Sequence, residues 1–232
     1  MSNKKKPLIG VTTSANKGWT MWWFTKLAIR IVGGRAVRLT ALKQDNISDC
    51  DGYVISGGVD IDPSHYNQQN IASVGVEPER DELEMNLIKH ALQHHKPLMG
   101  ICRGAQMINV VKGGVLHQNA RDFYDGFVPT DSVLGKIFSR RKVLIIKDGV
   151  LCNLFREKPE LFVNSIHHQA IDKLGEGLEI VAKDELGIVQ AIESKDMEKQ
   201  FILGMQWHPE FMLHTKSNRK IFSAMLDACK ST

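Results

Sequence analysis

PLMGICRGAQMINVVKGG, residues 97–114, changes character twice in eighteen positions. Leu98, Met99 and Ile101 form a short apolar strand, and Gly100-Ile101-Cys102-Arg103-Gly104 is a turn bracketed by glycines. From Ala105 to Lys112 the apolar residues Met107, Ile108 and Val111 fall at helical spacing, and Gly113-Gly114 ends the run. Cys102 is therefore expected where a strand turns sharply into a helix. A tight turn of this kind exposes its central side chain, as in a nucleophile elbow with cysteine in place of serine. The free N–H groups and the positive dipole end of the following helix favour a thiolate. By itself, G-x-C-x-G also fits a small buried cysteine in an ordinary turn.

About a hundred residues downstream, the apolar run Phe201 to Leu203 leads into Gly204-Met205-Gln206-Trp207-His208-Pro209-Glu210. His208 and Glu210 are two apart, so in an extended segment they project to one side. A carboxylate beside a histidine fixes its tautomer and supports its charged form. Cys102, His208 and Glu210 then fill the roles of nucleophile, base and orienter.

These two motifs resemble the class I glutamine amidotransferase superfamily. PLIGVTTS (7–14), ISGGVDIDPSHY (55–66), RDELEMNLIKHAL (80–92), GICRGAQMINVVKGGVLHQN (100–119), VNSIHHQAI (163–171) and GMQWHPE (204–210) narrow the resemblance to its gamma-glutamyl hydrolase branch, in particular the gamma-glutamyl-gamma-aminobutyrate hydrolase-like proteins. The resemblance implies a flavodoxin-like fold and a hydrolase of small-molecule gamma-glutamyl amides; acyl transfer through a thiol carries its own chemistry, so no cofactor is expected. The resemblance also implies that Gln106, one helical turn past Cys102, contacts the glutamyl substrate. The loop holding Ser165, Ile166 and His167 would grip the substrate's alpha-amino and alpha-carboxylate groups, partly through backbone. Ser56-Gly57-Gly58 follows a strand and can turn backbone N–H groups toward a small charged oxygen. Gly57 is thus a candidate substrate contact, and Gly58 with the Arg103 N–H a candidate oxyanion hole. The plain alternatives are an ordinary turn at Gly57-Gly58, a solvent-facing Gln106 and a polar loop at 164–169.

The wider pattern fits an α/β class. Strands are expected at Leu8–Thr12, Ala36–Leu39, Val54–Ile55 and Leu98–Ile101, alternating with helices at Met21–Val32 and Glu79–His95. That alternation predicts a mostly parallel central sheet with helices on both faces, and ligand sites at the carboxyl ends of its strands. The second half adds strand candidates at Lys142–Ile146, Leu161–Val163, Leu178–Ala182, Ile188–Ile192 and Phe201–Met205. The last three are spaced as antiparallel neighbours. A terminal helix is expected over Thr215–Lys230, and a surface loop within Phe123–Arg141. No linker divides the chain, so residues 1–232 are expected to form one domain.

Composition excludes several classes. Thirty Lys and Arg against 26 Asp and Glu give a net charge of +4, with no basic run beyond Lys4-Lys5-Lys6, which argues against a nucleic-acid partner. The four cysteines, Cys50, Cys102, Cys152 and Cys229, have neither C-x-x-C nor zinc spacing. No secretory signal or membrane-length apolar run is visible, so a reducing cytoplasm is the default expectation. His90 and His94 are an i, i+4 pair without an acid in register, and Asp60, Asp62 and His65 read as a turn beside the site, so no metal is expected. Trp19, Trp22, Trp23 and Phe24 crowd the segment after the first strand and fit a substrate wall, core or a homodimer face equally. The alternative function is a glutaminase subunit that delivers ammonia to a separate synthetase.

Overall fold

The computed structural model describes residues 5–44, 47–124, 141–155, 160–164 and 167–231. Its strands are β1 Leu8–Thr12, β2 Arg35–Leu39, β3 Gly52–Ile55, β4 Leu98–Ile101, β5 Val115–His117, β6 Arg141–Ile145, β7 Glu160–Val163, β8 Ala170–Lys173, β9 Leu178–Asp184, β10 Val189–Ser194 and β11 Ile202–Met205. Its helices are α1 Trp19–Ile31, α2 Pro78–Gln93, α3 Arg103–Val111, α4 Val150–Leu154 and α5 Lys216–Ser231. Nine of the described strands form one sheet in the order β2-β1-β3-β4-β11-β10-β9-β6-β7. The first five run parallel, and from β11 outward each neighbour is antiparallel. The expected mixture of parallel and antiparallel strands is therefore present, with the antiparallel part gathered on one side.

Both faces of the central strands β3, β4, β11 and β10 are buried, which is why they read as short continuous apolar runs rather than clean alternations, whereas β7 at the sheet edge alternates. Ile9, Val11, Val54, Met99, Ile101, Leu203 and Met205 face one core, shared with Trp22, Ala28 and Ile29 of α1 and Ile221, Phe222, Met225 and Leu226 of α5. Tyr53, Ile55, Leu98 and Ile202 face the other, with Leu87, Ile88 and Ala91 of α2 and Met107, Ile108 and Val110 of α3. Residues one apart in a strand thus enter different cores, as the period of two requires.

Most sequence expectations agree with the structure to within a few residues at element ends. The sequence pattern did not reveal β5, β8 and α4. These are three, four and five residues long. β5 and β8 pair antiparallel in a separate two-stranded sheet that carries residues 167–169 toward the carboxyl ends of the parallel strands. Helix α3 begins at Arg103, two residues earlier than its apolar spacing indicated. The loop expected within Phe123–Arg141 falls mostly outside the described residues. No helix among the described residues is long and apolar enough to cross a membrane.

Two glycines let the strand turn into α3. A Cβ on Gly100 would lie 2.6 Å from the Ala105 amide nitrogen, and one on Gly104 would lie 1.9 Å from the Ile55 carbonyl oxygen. The first helical turn of α3 therefore sits directly against the end of β3. Because the obstacle at Gly104 is backbone, Gly104→Ala must push the helix away from the sheet. We expect a loss of about 1–3 kcal/mol, the usual range for overpacking, read as a lower urea midpoint of unfolding.

Candidate active site

The parallel pairing of β4 with β11 brings the two sequence motifs together. Its register sets Ile101 opposite Met205. The next residues, Cys102 and Gln206, therefore leave the sheet side by side, and the Cys102 amide donates to the Met205 carbonyl at 2.7 Å. Cys102 lies at φ 50° and ψ −107°, a backbone region that costs a non-glycine residue about 1–3 kcal/mol. The strain is held by that amide bond and by the amides of Ala105 and Gln106, both of which donate to the Cys102 carbonyl. The expected elbow is present, and its cysteine is 6% exposed.

His208 and Glu210 pair as expected, but through a 3-10 helix over Pro209–Phe211, capped by His208, rather than an extended segment. His208 Nδ1 lies 2.8 Å from Glu210 Oε1, and the His208 amide donates to Asn164 Oδ1 at 3.2 Å. Glu210 is fully buried and its Oε2 has no hydrogen-bond partner among the described residues, so its charge is spent on the imidazole. Burial pushes the His208 pKa down. The Glu210 carboxylate, and after it the Cys102 sulfur to which the ring is hydrogen-bonded, outweigh burial and hold it up, at about 10. With Nδ1 on Glu210, Nε2 is left for the sulfur. The geometry thus sets a raised-pKa imidazole beside the Cys102 sulfur.

A second contact to the sulfur was not anticipated. Gln206 Nε2 donates to Cys102 Sγ at 3.4 Å. Its orientation follows from its neighbours. Gln106 Nε2 donates to the Gln169 carbonyl at 2.7 Å, which can only accept, and to Gln206 Oε1 at 3.0 Å. Gln206 is thereby obliged to turn its amide nitrogen toward the thiol. The clue in the sequence was the position of Gln206 in GMQWHPE, but its meaning needs the β4–β11 register. Gln106 lies on the face of α3 toward the thiol, as expected, yet it is buried and its amide nitrogen is committed to other residues.

Gly57 and Gly58 lie at the end of β3. A Cβ on Gly57 would come within 2.7 Å of His208 Cε1 and 3.1 Å of Met21 Cε, so the His208 ring packs directly on this turn. Ser165 and Ile166 lie outside the described residues. His167 is buried, and its Nδ1 must donate to the Gln169 carbonyl at 2.7 Å. Burial, with the positive Arg141 and His208 nearby, pushes His167 down to about 3, which leaves it neutral at ordinary pH and a much weaker base than His208.

His168 does have a carboxylate. Its Nδ1 is 2.7 Å from Asp60 Oδ2, 108 residues away, a pairing that sequence proximity could not reveal. Asp60 also accepts from the Val74 amide and Asp62 from the Ser64 amide, so both acids fix the turn after β3. Trp22 belongs to the α1 core rather than to a substrate wall, while Trp19 and Trp23 are exposed. Met21 of α1 reaches the Gly57 turn, and Phe24 packs on Phe211 beside the His208 ring.

Known proteins resemble this chain over most of its length. The sequence pattern of the peptidase C26 family matches residues 7–210. A provisionally named glutamine amidotransferase of Mycobacterium tuberculosis is 34% identical, over 96% of this chain and 75% of that protein. The gamma-glutamyl-gamma-aminobutyrate hydrolase of Escherichia coli O157:H7 is 29% identical, over 82% of this chain and 76% of the enzyme. The crystal structure of a Thermoplasma acidophilum protein, provisionally named as a component of GMP synthase, superposes with a TM-score of 0.69 at 22% identity, covering 98% of this chain and 96% of that one. At that identity it speaks for the fold, which is of the glutamine amidotransferase type.

The His208 proton provides a direct check. Its folded pKa is raised, so the imidazolium persists at neutral pH and is lost only as pH rises through about 10. Glu210→Gln removes the main support and leaves the burial penalty. Nitrogen-edited NMR of the ring should show the titration moving to markedly lower pH in that variant. An unchanged titration would mean that Glu210 does not hold the charge.

Proposed function

This chain belongs to the peptidase C26 family, and on that footing we propose that it is a cysteine hydrolase of gamma-glutamyl amide bonds in small molecules. The observation that carries the reading is the strained Cys102 beside an imidazolium His208 held by a buried carboxylate. Cys102, His208 and Glu210 act as nucleophile, acid–base and orienter.

In the first half-reaction the Cys102 thiolate attacks the side-chain amide carbon. The oxygen takes the negative charge and is held by the N–H groups of Gly58 and Arg103. His208 gives its proton to the departing amine as the C–N bond breaks, leaving a glutamyl thioester. The imidazole, now neutral, takes a proton from water. The resulting hydroxide attacks the thioester, the C–S bond breaks, and glutamate leaves with the thiolate–imidazolium pair restored. Gly57, Gln106 and the loop Ser165-Ile166-His167 border the glutamyl group in this scheme. Nothing in it requires a cofactor or metal.

The substrate class rests on the Escherichia coli relative, whose name states that it hydrolyses a gamma-glutamyl amide. The name of the Mycobacterium tuberculosis relative supports a second reading, in which this chain is a glutaminase that passes ammonia to a separate synthetase. The two differ in the leaving group, an amine larger than ammonia in the first case and ammonia in the second.

Assay of the isolated chain against a set of gamma-glutamyl amines and glutamine separates them. We expect turnover of one or more gamma-glutamyl amines with a kcat/KM above that for glutamine. Cys102→Ala should lower it by at least about 10⁴-fold, the scale of losing a nucleophile. Glutamine turnover that appears only with a co-purifying synthetase would favour the second reading. Full activity in Cys102→Ala would end both.

A further inference from the structure

Beneath the turn after β3 lies a charge cluster that the scheme above does not use. Arg80, Asp81, Glu84 and Arg103 are each at most 4% exposed. Arg103 Nη1 binds Glu84 Oε2 and Arg103 Nη2 binds Asp81 Oδ1. Arg80 Nε donates to Glu84 Oε1 at 2.8 Å, and Thr12 Oγ1 donates to the same oxygen at 2.7 Å. Arg80 Nη2 reaches out of the cluster to the carbonyls of Ser56 at 3.1 Å and Gly57 at 3.0 Å. The Ser56 amide in turn donates to Thr12 Oγ1 at 3.3 Å.

We propose that Arg80 is a positioning residue that sets the orientation of the Gly57–Gly58 peptide, and that Glu84, by bridging Arg80 and Arg103, fixes the two oxyanion donors relative to each other. The proposal rests on the hydrolase reading for what the donors do. Its geometric core is independent of substrate. No peptide in the chain is cis among the described residues. In a trans peptide the C=O and the following N–H point in opposite directions. Holding the Gly57 carbonyl on Arg80 therefore turns the Gly58 N–H away from the cluster. Glycine is needed here for the same reason, since a Cβ on Gly58 would lie 2.2 Å from Arg80 Nη1 and displace the guanidinium. The second donor, the Arg103 amide, belongs to a residue whose own side chain is tied to Glu84. One buried carboxylate thus anchors both donors, one through each arginine.

Two reactions of the same thiol separate this role from plain structural support. Alkylation of Cys102 by iodoacetamide forms no carbonyl oxyanion, because the thiolate displaces iodide at a saturated carbon. Acylation does form one. The test compares wild type, Arg80→Lys and Arg80→Met. For each, it measures the alkylation rate, kcat and KM for a gamma-glutamyl amine, and the nitrophenol burst from p-nitrophenyl acetate. We expect alkylation within about twofold of wild type. Acylation by both carbonyl substrates should fall in Arg80→Met by about 10²–10³-fold, the scale of losing one oxyanion donor. The loss should appear in kcat rather than KM, and Arg80→Lys should restore part of it. If Arg80→Met does not fold, as judged by circular dichroism, Arg80→Lys carries the same comparison with a smaller expected loss. Parallel losses of alkylation and acylation, or unchanged acylation in a folded Arg80 variant, would overturn the proposal. If wild type cleaves no gamma-glutamyl amine yet the nitrophenol burst still depends on Arg80, the substrate reading fails and the positioning role stands.

Discussion

The parallel pairing of β4 with β11 is the constraint on which the site depends. The strands are about a hundred residues apart in sequence and meet in a register that sets Gly204 beside Gly100 and Met205 beside Ile101. Beyond the last paired residues, one chain enters the elbow at Cys102 and the other enters Gln206-Trp207-His208. Side chains alternate faces along a strand, so a slip of one residue would send each of these groups to the opposite face. The alternation of Met205 and Leu203 into one core and Ile202 into the other opposes such a slip. Apolar packing on both sides of the sheet thereby sets a geometry that the polar residues use.

The site also rests on ionised groups held out of water. Among the described residues the one partner of the buried Glu210 carboxylate is the His208 ring, and its charge keeps a proton on a histidine that burial would otherwise strip. Arg80, Asp81, Glu84 and Arg103 are different, because two cations and two anions answer one another. Removing one member of such a set leaves a bare buried charge, at a cost of about 3–5 kcal/mol. In Glu84 burial raises the carboxyl pKa, but Arg103, Arg80 and the Thr12 hydroxyl outweigh it and keep the group ionised. The backbone strain at Cys102 adds about 1–3 kcal/mol that the surrounding hydrogen bonds must offset. Strain and desolvation are thus concentrated within a few residues, where two strand ends and the first turn of α3 converge.

Several features were legible along the chain. A tight turn needs glycines at fixed offsets, so Gly100 and Gly104 announced the elbow at Cys102. His208 and Glu210 are two residues apart, so their pairing was legible, although a 3-10 turn over Pro209–Phe211 rather than an extended segment makes it. Helices bury a stripe and doubly covered strands bury everything, so the parallel half of the sheet could be read from apolar runs. All of these depend on neighbours within a few positions, where backbone geometry is nearly independent of the rest of the fold. β5, β8 and α4 were not legible in the local pattern.

What only the tertiary structure decided was which distant groups meet. Gln206 faces the sulfur because β11 lies beside β4 and because the Gln169 carbonyl fixes the amide of Gln106. His168 finds Asp60 across 108 residues, and Trp22 faces a core that α1 and α5 build together. Arg80, Asp81 and Glu84 sit in a plainly helical run, yet nothing in that run says that they are buried or that one of them holds the carbonyl of Gly57. Local spacing fixes the direction in which a side chain leaves the backbone. Its partner, its burial and hence its charge state depend on strand order and register, which are set by the packing of the whole chain.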